Sequence, residues 1–142
     1  AMVVNNTPRN VPWYLPERAS GLLVGYLGSN PQHQPYGLQK FQWNPDAQQL
    51  EYAWVNADTS SPSSVPIVGM GSNLVYFVGA RDNQFTLEAL NWDTGVADFH
   101  YLIGGQRYNV MYSGTAIDED GRIHYGTPWG RVRLTPKTPP GK

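Results

Sequence analysis

The chain has 142 residues, no cysteine, 15% charged residues and a formal net charge of −1. Such a length gives one domain with a sizeable core, while the charge leaves no basic face for a phosphate backbone, so no nucleic-acid partner is expected. The missing cysteines exclude a disulfide framework, a thiolate metal site and a cysteine nucleophile.

No apolar run approaches the roughly 20 residues of a membrane-spanning helix, so a soluble protein with no membrane partner is expected. The leading Ala1-Met2 reads as a cloning remnant ahead of which a native signal could have been lost, and an extracytoplasmic location is slightly favoured. Fifteen Gly, twelve Pro, nine Tyr and five Trp point to sheet and turns throughout.

In chain order, residues 1–20 form an extended N-terminal arm. Prolines 8, 12 and 16 bar helix and central strand there, and Trp13, Tyr14 and Leu15 are apolar enough that the arm should dock on this chain or on a neighbour. Gly21 to Gly28 reads as the first strand. A hairpin of Tyr36 to Trp43 with Leu50 to Val55 follows the polar loop Ser29 to Pro35. After the turn-forming stretch Asn56 to Pro66 come strands at Ile67 to Gly71, Leu74 to Val78, Phe85 to Trp92 and Val96 to Ile103. Strands at Gly114 to Ile117, Arg122 to Tyr125 and Arg131 to Leu134 complete the pattern, and residues 137–142 read as a flexible tail.

The pattern repeats itself. Tyr36-x-Leu38-x-x-Phe41-x-Trp43 returns as Phe85-x-Leu87-x-x-Leu90-x-Trp92 at an offset of 49, and Leu50-Glu51-Tyr52-x-Trp54 returns as Ala97-Asp98-Phe99-x-Tyr101 at an offset of 47. Val24-x-Tyr26-Leu27-Gly28 answers Val75-x-Phe77-Val78-Gly79, which answers Ile123-x-Tyr125 at an offset of 48. Four short strands in a period near 48 residues predict β-propeller blades at 21–56, 65–104 and 112–134, within a partial propeller over 21–136.

Leu90-x-Trp92-Asp93-Thr94-Gly95-x-x-x-Phe99, preceded by the Val75-Tyr76-x-x-Gly79 strand, resembles the blade repeat of quinoprotein-like (PQQ-type) propellers. The resemblance covers residues 21 to 134 and implies four-stranded antiparallel blades. Asn91-Trp92 stands near the family's acidic position and Phe99 stands where the family has tryptophan, so no quinone cofactor is expected. The expected fold is all-β, with about 2.5 to 3 four-stranded antiparallel blades. The first blade lacks its first strand and the last blade its fourth. Propellers close with roughly four to eight blades, so the ring is expected to be completed by copies of the chain or by further chain. The expected partner is the chain itself, two copies giving about six blades by head-to-tail contact. A strand around Met2 to Asn5 or Trp13 to Leu15 would complete an end blade of the partner, or else fold back on its own first blade.

In propellers, the loop between second and third strands and the loop to the next blade open on one face near the central channel. Here that face collects His33, Gln34, Asp58, Arg81, Asp82, Arg107, Tyr108, Asn109 and Trp129. Arg81 and Arg107 could converge on a carboxylate or phosphate of a small-molecule ligand, although pairing of Arg81 with Asp82 or a nearby carboxylate, as a loop staple, outweighs it. Trp129, in the turn Gly126 to Gly130, is the candidate stacking platform for a sugar, whereas Trp43, Trp54 and Trp92 recur in the repeat and read as packing.

Other chemistry is weaker. Asp118-Glu119-Asp120-Gly121 suggests calcium less well than an Asp-Gly hairpin turn. His33, His100 and His124 fall in no ligand spacing, so no metal is expected, and His100 and His124 should face solvent or a satisfied partner. No GxSxG elbow is present. Glu51, Glu88 and Asp98 read as solvent-facing strand positions and not as a glycosidase pair. The function expected is a non-catalytic ligand-binding or assembly module of propeller type that self-associates. One alternative is an enzyme (a propeller hydrolase, lyase or quinone-dependent dehydrogenase) whose site forms only in the completed ring, and another is a carbohydrate-binding propeller.

Overall fold

A computed structural model describes residues 2–5, 38–56, 58, 59, 61, 64–82, 84–110 and 113–137. Among them the chain is all-β and its strands pair antiparallel. The strands are β1 (Met2–Asn5), β2 (Leu38–Asn44), β3 (Gln49–Asn56), β4 (Ile67–Gly69), β5 (Leu74–Arg81), β6 (Gln84–Asn91), β7 (Ala97–Gly104), β8 (Thr115–Ile117), β9 (Ile123–Thr127) and β10 (Gly130–Leu134), with one 3-10 turn at Gln106–Tyr108. They form three sheets, ordered β1-β2-β3, β4-β5-β6-β7 and β10-β9-β8.

Strand alternation decides which residues each sheet buries. In the central sheet, Val75, Phe77 and Leu90 meet Leu38 and Trp54 of the first sheet. Val78 and Phe85 point the other way and meet Val110 and Tyr125, with Val132 and Leu134 of the third sheet packed alongside. The central sheet is therefore covered on both faces, and Phe85 to Leu90 are buried at every position. Antiparallel strands covered on one face only would have alternated.

The turns carry local hydrogen bonds that fix strand ends. Asn91 Oδ1 accepts the N–H groups of Asp93 and Thr94, and Asn44 Oδ1 accepts those of Asp46 and Ala47 in the β2–β3 turn. These Asx turns close in residues with left-handed backbone, Gly95 at φ +72° and Gln48 at φ +51°. The first sheet grips the turn between β6 and β7: Lys40 Nζ and Trp54 Nε1 each donate to Trp92 O at 2.8 Å, and Asn56 Nδ2 donates to Gly95 O at 2.8 Å.

The central and third sheets also meet just ahead of their first strands, by a parallel bridge between Val65 and Gly114. The repeat predicts Gly21 to Gly28 beside β2, but β2 is flanked by Met2–Asn5 of the same chain, in the register Met2↔Phe41 to Asn5↔Leu38. The terminal strand thus lies on its own first sheet. The predicted strand 21–28, the rest of the arm with Trp13 to Leu15, His33, Gln34 and the last residues of the tail lie outside the described residues.

Candidate functional site

Register brings the loop segments to one end of the stack. Arg81 pairs with Gln84, leaving a two-residue turn, and Asp82 takes φ +46° in it, a backbone that Asp tolerates better than most residues. Gly104, at the end of β7, pairs with Phe85, so the segment from Gly105 onward leaves from this same end. The Val65–Gly114 bridge brings in the start of β8, and with it the β9–β10 turn that carries Trp129. Asp58, Thr59, Ser61 and Ser64 precede β4 here.

The centre of this end is an ion pair. Arg81 grips Glu88 with both arms, Nε to Oε1 at 2.7 Å and Nη2 to Oε2 at 2.9 Å, and Thr86 Oγ1 donates to Oε1 at 2.6 Å. Glu88 is 0% exposed and the Arg81 side chain 35% exposed. The guanidinium pKa is raised, chiefly by the hydrogen bond to Glu88 and further by the charges of Glu88, Asp82 and Asp58, against the opposing effect of burial. A carboxylate removed from water and answered by a bidentate arginine is a structural clasp first.

Glu88 therefore corrects the sequence reading, which set it facing solvent. β6 is an inner strand of a sheet covered on both sides, so it has no solvent face. Glu51 and Asp98 are exposed as expected. Arg81 is held by a nearby carboxylate, the staple arrangement, with Glu88 in place of Asp82. Arg81 and Arg107 share no partner among the described residues; Arg107 and Tyr108 stand on the 3-10 turn, both exposed. The Tyr108 ring lies against Gly104, where a Cβ would come within 2.7 Å of it. Asn109 is fully buried, beneath the surface that a ligand would reach. Trp129 is 56% exposed, its backbone N–H bonded to Thr127 Oγ1 at 3.2 Å.

At the opposite end, Asp118 to Gly121 form the hairpin turn. Asp118 Oδ1 accepts the N–H groups of Asp120 and Arg122, and Oδ2 lies 2.8 Å from His124 Nε2. His124 has satisfied partners and His100 is exposed.

Two apolar surfaces went unread in the sequence. A cavity of about 570 Å³ opens between the central and third sheets, lined by Tyr76, Leu87, Phe99, Tyr101, Ile123 and Leu134 among others. The outward face of the first sheet carries Trp43, Leu50, Tyr52 and Val55, all exposed. Recurrence had marked Trp43 as a packing residue, which is the signal that it wants a cover.

No family model and no solved structure matches the chain. A protein of Archaeoglobus fulgidus, described only as uncharacterized, is 36% identical over 121 residues, amounting to 84% of this chain and 23% of that protein. The chain spans about a quarter of the length of this relative.

Proposed function

We propose that the chain is a non-catalytic binding and assembly module, built of β-propeller blades and acting through association of copies. The observation that carries this reading is the stack itself. Among the described residues, sheets of three, four and three strands lie face to face, the segments leading into the first strands of the second and third sheets form a parallel bridge, and the first sheet turns an aromatic face outward with nothing upon it. Blades in a ring stack in this way, and a ring needs more of them than are present here. The cavity beside Phe99 and Tyr101 lies where a fourth strand of the third blade would run.

The polar end supports a binding role more than a catalytic one. Its buried carboxylate is held on both oxygens by Arg81 and Thr86, which ties it to the protein's own side chains. The quinoprotein-like repeat supports the blade architecture and not the cofactor. Sedimentation velocity over a wide concentration range tests the reading: a discrete multiple of the 15.8 kDa chain is expected, and a monomer at every concentration contradicts it.

The exposure of Trp129 favours a second reading, in which the completed module binds sugars at the loop end by stacking on that ring. Added sugars would then quench tryptophan fluorescence, and a Trp129→Ala protein would lose the response. An identical response from the variant ends this reading.

A further inference from the structure

We propose that the outward face of the first sheet docks the third sheet of a second copy of this chain, with Arg133 of the second copy stacked on Trp43. This rests on the self-association reading and assigns its two surfaces.

The molecule already contains one such seam. Trp92, the repeat counterpart of Trp43, is covered by the sheet that precedes it: Lys40 Nζ stands 3.9 Å from the Trp92 ring centre and donates to Trp92 O at 2.8 Å. Lys40 lies on the same face of the first sheet as Leu38 and Trp54, the face applied to the central sheet. A cation from the first sheet on a tryptophan of the central sheet thus seals that pair of sheets. Desolvation makes that contact stronger than it would be on an open surface.

Both halves of a second seam are present, and neither is covered among the described residues. The outward face of the first sheet offers Trp43, 52% exposed, and Tyr52, 66% exposed. Phe41 backs Tyr52 with ring centres 4.6 Å apart, so the aromatic surface is stiff and already assembled. Contiguous exposed apolar residues of this kind mark an interaction surface.

The matching cation sits on the third sheet. Tyr125, Val132 and Leu134 pack toward the central sheet, so alternation turns His124, Arg131 and Arg133 outward, with Arg133 also bordering the cavity between the two sheets. This face corresponds to the Lys40 face of the first sheet, the one that receives the next sheet in the stack. Arg131 is engaged by His124 Nδ1 at 2.9 Å. Arg133 is exposed and has no hydrogen-bond or ion-pair partner among the described residues. Joining the two faces continues the stack in the sense it already has, a head-to-tail contact that closes when the rotation fits.

Light scattering behind size exclusion tests this with the wild-type chain and with Arg133→Glu, Arg133→Lys and Trp43→Ser. The wild type and Arg133→Lys should run as the discrete oligomer. Arg133→Glu and Trp43→Ser should each fall to the 15.8 kDa chain mass with unchanged far-ultraviolet dichroism. If Trp43→Ser does not fold, Leu50→Glu on the same face replaces it. Mixing a head-defective with a tail-defective variant should restore a dimer, because one intact seam remains between them. A wild-type oligomer whose mass ignores Arg133→Glu, or variants that do not complement on mixing, overturns the assigned faces and leaves self-association standing. A wild-type monomer overturns both.

Discussion

Glu88 is the residue on which the polar end depends. Its carboxylate has no water and relies on Arg81 and Thr86. Removing Arg81 alone strands a charge in the core, and Arg81→Ala is expected to cost about 3 kcal/mol in urea unfolding, the lower end of the range because solvent reaches Arg81. Replacing both partners, as in Arg81→Met with Glu88→Leu, should cost much less. Equal losses in the single and double variants would contradict the clasp. Asp118 gives a pH signature instead. Its carboxyl is pushed down to about 2 from an ordinary 3.8, first by the hydrogen bond with His124, then by the N–H groups of Arg122 and Asp120 and the charge of Arg122, with desolvation opposing. A carboxyl held lower in the folded state adds stability that is complete above about pH 4 and lost as pH falls through about 2. Thermal midpoints taken across that window should fall more steeply for the wild type than for Asp118→Asn; parallel curves would contradict the assignment.

At the scale of elements, the turns decide how strands end. Gly95 combines a left-handed backbone with the Trp54 ring, which a Cβ would approach to 2.5 Å. Gly95→Ala should therefore cost at least about 2 kcal/mol in chemical denaturation. Gln48 holds the same backbone position in the β2–β3 turn without glycine's freedom, so Gln48→Gly should stabilise by roughly 0.5–1 kcal/mol; a loss instead would mean that the Gln48 side chain contributes something its exposure hides. These elements were largely legible beforehand. Alternation bounded by turn residues located β2 to β10 to within a few residues, and the Asp-Gly turn followed from composition. Burial was harder to read. Phe85-Thr86-Leu87-Glu88 alternates like a strand with one wet face, and only the position of the first sheet, packed on the face that Glu88 shares with Phe77 and Leu90, reveals that both faces are covered. The clasp follows from that. Thr86 and Glu88 lie on the face that Arg81 reaches across a two-residue turn, so register and charge together could have found it. The terminal strand was harder still, because the sequence reading offered Met2 to Asn5 chiefly to a partner's blade and the repeat offers a better-matched candidate for the edge of β2.

Among the described residues of the molecule, a central sheet of four strands is doubly covered, while the flanking sheets have three strands each and one outward face apiece. The first of those faces is aromatic and the last cationic, so the stack has direction, and directed surfaces join head to tail, closing into a ring when the rotation fits and running on as open chains when it does not. The relative from Archaeoglobus fulgidus is about four times as long as the aligned segment, and in so long a chain further sheets could meet these same faces covalently. Small-angle X-ray scattering of the purified protein tests the central claim most directly. Closure of sheets around an axis gives a flat, compact particle whose distance distribution is that of a disc, with a mass of two chains. A scattering curve of an elongated rod, or of the single chain, would contradict it.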